Sequence, residues 1–328
     1  MFDTIAKLTK VSGVSGNEEK IRNLIIDEAK EYVDNVIIDN IGNLTLVKKG
    51  TGKKIMLSAH MDEIGLMITH IDENGFLRFS SIGGIYKLIA LGQRVIINSN
   101  IHGTVYFEEK IKSYGDLNIS KMFIDIGVNC REEAKKIVKI GDVATFVGEA
   151  VMANKNIIAK SLDNRAGCAV LIKLIKENIN TDHEIYYTFT VQEELGMRGA
   201  KTAAFDLMPD LAVVVDVTST GDIPECPLME VSLGKGPAIK IKDSSVICHP
   251  IVRDLLKLAA KKNNIPYQYE ILEFGGTDTA SILLTGGGIV AGAVSIPCRY
   301  IHTPSESVNL DDLKNSVRIL KNFILEVK

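Results

Sequence analysis

Five residues of metal-ligating type punctuate this chain, each where an apolar, strand-like run hands over to a loop or a helix. They are His60 in Ser-Ala-His-Met-Asp-Glu-Ile-Gly, Asp163 in Ser-Leu-Asp-Asn-Arg-Ala-Gly, Glu194 in Val-Gln-Glu-Glu-Leu-Gly, Asp216 in Val-Val-Val-Asp-Val-Thr, and His302 in Arg-Tyr-Ile-His-Thr-Pro-Ser-Glu. This placement restricts the architecture more than any other feature. Buried strands that end in a carboxylate or an imidazole aim those groups at one crevice. In open α/β sheets that crevice, outside the carboxyl ends of the strands, is where ligands bind. Two histidines and three carboxylates, one of them bridging, suffice to hold two divalent cations. The pattern predicts a dinuclear metal hydrolase.

The surrounding texture agrees with an α/β protein. Ser15 and Glu18 have capping-box spacing ahead of Ile21, Leu24, Ile25, Ala29 and Tyr32 at helical intervals. Strands are expected at 35–39, 43–48 and 54–60, and Ile55-Met56-Leu57 has the two-sided apolar character of a covered sheet. Past residue 160 come Asp163 at a helix N-cap, strands at 184–191 and 211–216, a helix opening on Pro250, a strand at 289–295 and a last helix from Asn309. Alternating strands and helices predict a mixed, largely parallel sheet with helices on both faces.

Between about residues 67 and 157 the texture changes. Short β-prone runs (76–79, 94–97, 103–107, 122–126 and 142–147) are separated by glycine and polar turns, with one short helix near 131–138. This predicts a small β-barrel or sandwich inserted into the catalytic fold, because ligand-bearing strands flank it on both sides. The expected organisation is therefore a discontinuous catalytic domain, 1–66 plus 158–328, interrupted by a β-rich domain at 67–157.

Composition narrows the function classes. Apolar residues make up 46% of the 328, which excludes a disordered chain. A formal charge of −3 supplies no basic field, so neither nucleic acid nor an anionic membrane is an expected partner. The five cysteines are widely spaced, with no Cys-x-x-Cys, which argues against a thiolate zinc site and for a reducing compartment. The amino terminus has no signal-peptide pattern, and no apolar run is long enough to cross a bilayer, so a cytoplasmic location is expected.

Each ligand candidate also has an ordinary reading. His60 and Asp62 lie two apart on an extended segment, so the carboxylate can orient the imidazole, as metal-bound histidines require. Alone, Asp163 fits a helix cap and His302 fits a solvated loop residue. Asp216 ends a buried Val-Val-Val run, where a charge is costly unless paired or bound to metal. Glu193 and Glu194 are adjacent after a buried strand, which suits a division of labour between ligation and proton transfer. Structural or surface roles are expected for His70, His102, His183 and His249, and ion pairing for Arg165, Arg198 and Arg299.

Taken together, these segments resemble the tetrahedral aminopeptidases, a family of dinuclear metallopeptidases, over essentially the whole chain. The resemblance rests on Ser58-Ala59-His60-Met61-Asp62-Glu63-Ile64-Gly65, Ser161-Leu162-Asp163-Asn164-Arg165, Gln192-Glu193-Glu194-Leu195-Gly196, Asp216-Val217-Thr218, Gly275-Gly276-Thr277-Asp278 and His302-Thr303-Pro304-Ser305-Glu306. It implies that Asp163 bridges two metals, that His60 and Asp216 complete one site, and that Glu194 and His302 complete the other. It further implies Glu193 as general base, Asp62 as the residue orienting His60, and a PDZ-like inserted domain. The activity implied is removal of amino-terminal residues from peptides by metal-activated water, in a homododecamer built from dimers. The nitrogen and oxygen donor set suits zinc or cobalt, and manganese also fits.

The ligand motifs alone do not separate an aminopeptidase from a carboxypeptidase or N-acyl amino acid deacylase with the same dinuclear site. A glycosidase would need two carboxylates facing each other across a sugar, roughly 5 to 10 Å apart. The contiguous Glu193 and Glu194 do not supply that, and both histidines would go unexplained. A non-enzymatic scaffold is expected to have lost ligands, whereas all five are present. Side-chain preference at the amino-terminal residue is not legible in these motifs.

Overall fold

The fold is taken from a computed structural model that describes residues 1–226 and 228–328. An 11-stranded mixed sheet forms the main body. Its centre is parallel and runs in the order Glu184–Thr190, Lys54–His60, Leu211–Thr218, Val290–Arg299. Antiparallel strands close both sides, with Leu44–Lys48 and Asn35–Ile38 at one edge. At the other edge lie Glu306–Asn309 and the hairpin Val151–Ala153/Asn156–Ala159.

Two-residue periodicity divides the sheet between two apolar layers. Val213 and Val215 pack with Leu57 and Ala59 into the layer formed by helices Phe2–Lys10, Leu162–Lys176, Pro250–Lys262 and Leu310–Glu326. Ala212, Val214 and Met56 face the opposite layer, against Ala200, Ala203 and Ala204 of helix Arg198–Leu207 and Ile282 of helix Asp278–Leu283. Val214 pairs with Ser58 across neighbouring strands. Two residues beyond that pair, with the same parity, come Asp216 and His60. Alternation therefore delivers both side chains to one face at the carboxyl ends of adjacent parallel strands.

The middle of the chain forms a separate closed antiparallel barrel of strands Gly65–Ile71, Leu77–Ile82, Met122–Asp125, Ile101–Phe107, Arg94–Ile97 and Val143–Phe146. It buries its own core, including Leu66, Ile68, Leu77, Val95, Val105 and Ile124. Its first strand starts at Gly65, after the non-strand segment 61–64 that follows His60. Helix Arg131–Ile137 is joined by a helical turn, Lys87–Ala90, and two 3-10 turns, so the expectation of a single short helix is corrected.

Two local expectations give way. Ser15 and Glu18 do not form a capping box: the Ser15 hydroxyl donates to Asp62 Oδ2 at 2.6 Å, and Glu18 accepts from the Gly16 amide at 2.8 Å. Asp163 has non-helical dihedrals and is not the cap of its helix. Asn164 takes that role, its Oδ1 accepting the Gly167 amide at 3.0 Å, which leaves the Asp163 carboxylate free to face the sheet. Glu193 and Glu194 lie beyond the end of their strand, in a turn that follows Gln192 at φ +55°. Both carboxylates therefore line the same cleft. Among the described residues no helix is long and apolar enough to cross a membrane.

Candidate active site

Four parallel strand ends and their following turns enclose a cleft of about 400 Å³. At its floor, His60 Nε2 lies 3.0 Å from Asp163 Oδ1 and 3.6 Å from Asp216 Oδ1. His302 Nε2 lies 3.3 Å from the other oxygen of Asp163 and 3.0 Å from Glu194 Oε1. Asp163 thus turns one oxygen to each histidine. His60, Asp163 and Asp216 each bring a donor atom to one point, Asp163, Glu194 and His302 to a second, and within each trio the atoms lie within 4.8 Å of one another. All five sequence-predicted ligands converge, and Glu193 borders the same cleft.

Several buried groups hold this arrangement. Asp62 Oδ1 is 3.4 Å from His60 Nδ1 and accepts the Glu193 amide at 3.0 Å, while Oδ2 accepts the Ser15 hydroxyl and, at 3.2 Å, the Glu194 amide. Glu306 accepts the amides of Asp163 and His302 at 2.9 and 2.8 Å. His302 itself sits at φ +64°, a left-handed conformation that costs energy in a non-glycine residue and that these bonds help to maintain.

The barrel also reaches the site. Gly83 and Gly84 follow its second strand. A Cβ on Gly84 would fall 2.9 Å from His302 Nδ1, and one on Gly83 would fall 3.0 Å from Glu194 Oε2. Sequence reasoning assigned no site role to Ser15, Gly83 or Gly84. Glu306 belongs to the His302 motif, but no function is expected of it from the sequence. The one available signal for Glu306 was its position four residues after His302.

Of the three arginines expected in ion pairs, Arg165 is fully buried, 3.5 Å from Glu63 Oε1, and donates to the carbonyl oxygens of Leu8 and Val11. Arg299 pairs with Asp222 at 2.7 Å, and Arg198 is exposed. His249 caps helix 250–262 by accepting the Ile251 amide, a structural role.

The electrostatics test whether a cation fits. Burial, reinforced by neighbouring carboxylates, raises the proton affinity of Glu193, Glu194 and Asp216 above the ordinary carboxylate range. Burial pushes Asp278 up to about 7. His302 is pushed up to about 11 because Asp163 and Glu194 outweigh the effect of its burial. The site thus gathers more buried negative charge than two imidazoles balance, and its two clusters offer nitrogen and oxygen donors. Divalent cations fit that donor set and that charge.

Residues 42–319 match the M42 glutamyl aminopeptidase family. The chain belongs to that family. It is 59% identical to a putative aminopeptidase of Acetivibrio thermocellus over 99% of this chain and 98% of the relative. An aminopeptidase of the archaeon Desulfurococcus kamchatkensis superposes with a TM-score of 0.96 at 38% identity, covering 100% of this chain and 95% of that one. The TET1 peptidase of Pyrococcus horikoshii, which can assemble into a tetrahedron or a large octahedral shell, superposes at 0.87 with 33% identity and 98% coverage of both chains. The M42 chain is a metal-dependent aminopeptidase, a peptide hydrolase, and the carboxypeptidase and N-acyl deacylase alternatives are not favoured.

Proposed function

We propose that this M42 protein removes amino-terminal residues from peptides at a dinuclear centre, with Asp163 bridging, His60 and Asp216 completing one site and Glu194 and His302 the other. The observation that carries this reading is the pair of three-residue clusters that share Asp163. Divalent cations held by these residues would supply Lewis-acid polarisation of the scissile carbonyl and a lowered pKa for the attacking water. Zinc and cobalt suit the donors best, and manganese also fits.

The chain's own residues do the rest. Glu193, which lines the cleft floor and lies outside both clusters, takes the proton of the water and delivers it to the departing amine. Its raised proton affinity suits a group that must hold a proton between those two transfers. Asp62 fixes the tautomer and plane of His60 while anchoring the backbone that carries Glu193 and Glu194. Glu306 secures the backbone of Asp163 and His302 from the opposite side.

In this reading the catalytic domain comprises residues 1–66 and 158–328, and the insertion at 67–157 builds the oligomer. The contacts of Gly83 and Gly84 give the insertion a second part, as one wall of the site. The assembly proposed is a cytoplasmic homododecamer built from dimers, supported by the tetrahedral shell of the Pyrococcus horikoshii relative. Light scattering should return about twelve chain masses, consistent with closed point-group symmetry. Chelation should abolish hydrolysis of aminoacyl-anilides and added divalent cation should restore it. Full activity in protein shown by elemental analysis to be metal-free would overturn the proposal.

A further inference from the structure

The part of the cleft away from the metal ligands has a chemistry of its own. Met197, Val217, Leu272, Phe274 and Ile301 line it, and Phe274 is 80% exposed despite its size. Thr218, Ser219 and Thr277 are the polar side chains among them. Among the described residues of the cleft, the charged side chains that are not histidine are Asp163, Glu193, Glu194 and Asp216, all at the floor. Gly275 and Gly276 also line the cleft. A Cβ at Gly276 would fall 2.6 Å from Ser245 Oγ and 3.8 Å from Met197 Cε, so the backbone here packs against both side chains.

We infer that the amino-terminal residue accepted by this chain is uncharged and apolar, of the leucine, methionine or phenylalanine class, with Leu272 and Phe274 as the residues that set the preference. The inference rests on the aminopeptidase reading above. It runs against the description of the family as glutamyl aminopeptidases. A glutamate side chain directed away from the ligand clusters would meet these apolar side chains and the hydroxyls of Thr218, Ser219 and Thr277, with no lysine or arginine among the described lining residues to receive it. A lysine side chain would reach no carboxylate other than those committed to the ligand clusters and to proton transfer. Moving either charge out of water without a partner is costly, whereas an apolar side chain covers Phe274 and Leu272 and gains by it.

The test is a set of leucyl-, methionyl-, phenylalanyl-, glutamyl- and lysyl-anilides assayed with the metal-replete, assembled enzyme. N-acetyl-leucine is assayed in parallel. The apolar substrates should exceed the glutamyl and lysyl ones in kcat/KM by at least about tenfold, the scale on which apolar pockets discriminate. Phe274→Arg changes an exposed side chain, so the fold should be retained, and it should raise the glutamyl-to-leucyl ratio by at least about tenfold. Glutamyl- or lysyl-anilide cleaved as well as leucyl-anilide would overturn the preference. An unchanged ratio in the Phe274→Arg protein would overturn the assignment of this wall. Hydrolysis of N-acetyl-leucine with none of the anilides would instead overturn the aminopeptidase reading, so the two failures are distinguishable.

Discussion

The amide of Glu193 donates to Asp62 Oδ1 at 3.0 Å, and the same oxygen lies 3.4 Å from His60 Nδ1. One buried carboxylate therefore sits beside a proposed metal ligand and holds the backbone of the proposed base. Its second oxygen is held by Ser15 and by the Glu194 amide, so Asp62 has little freedom to move. In the proposed mechanism Asp62, which lies outside both ligand clusters, would couple the geometry of the ligands to the position of the base.

Replacing Asp62 with Asn should weaken this coupling while nearly preserving side-chain volume. Metal affinity or turnover should fall about 10- to 100-fold, the usual effect of losing the partner of a ligating histidine. Titrating metal into the apo variant and following activity measures both. Ser15→Ala should show a smaller loss in the same direction. Wild-type metal affinity and turnover in Asp62→Asn would show that the contact is dispensable.

Glu193 and Glu194 should separate cleanly. Glu193→Gln should lower turnover by roughly a hundredfold or more with metal content near normal, because only a proton acceptor is lost. Glu194→Gln should lower metal occupancy, as read by elemental analysis after gel filtration. Near-normal turnover in Glu193→Gln would mean that the base is another group.

Gly84→Ala tests the barrel's approach to the site. The new methyl would sit 2.9 Å from a ring nitrogen of His302, so the imidazole must shift. Displacing a ligand on this scale should reduce kcat/KM by roughly ten- to a hundredfold while leaving the thermal transition of the protein near that of the wild type. Unaltered activity would show that the Gly84 segment yields instead of His302.

Asp222 supplies a pH prediction away from the metal ligands. Burial opposes its ionisation, but Arg299, Thr220 and the Leu233 amide together hold its carboxyl down to about 2. The folded-state value is depressed below the ordinary carboxylate value of about 3.9, so the stabilisation is present above that pH and is lost as pH falls through about 2. The stability difference between wild type and Asp222→Asn, measured by denaturant unfolding, should be constant above about pH 5 and shrink on acidification below about 4. A difference independent of pH between 3 and 7 would refute this account.

The sequence alone determined what depends on short-range pattern. Continuous apolar runs located the central strands, and their ends carried His60 and Asp216 to one face because side-chain alternation is a property of the strand itself. The switch to short β-prone runs and turns marked an inserted β-rich segment but left barrel and sandwich both open, and the closed barrel is a product of strand pairing. Tertiary structure decided what requires residues far apart in the chain to meet. The cap passed from Asp163 to Asn164 because the Asp163 carboxylate is drawn between two histidines that no local rule pairs with it. Ser15 left its expected capping box for a buried carboxylate 47 positions away. Glu193 and Glu194 share a cleft because the chain turns after its strand, and Gly83 and Gly84 reach that cleft only because the barrel packs beside it. Local propensity is worth fractions of a kcal/mol per residue, whereas an unpaired buried charge or polar group costs several. At these positions the long-range partners prevail.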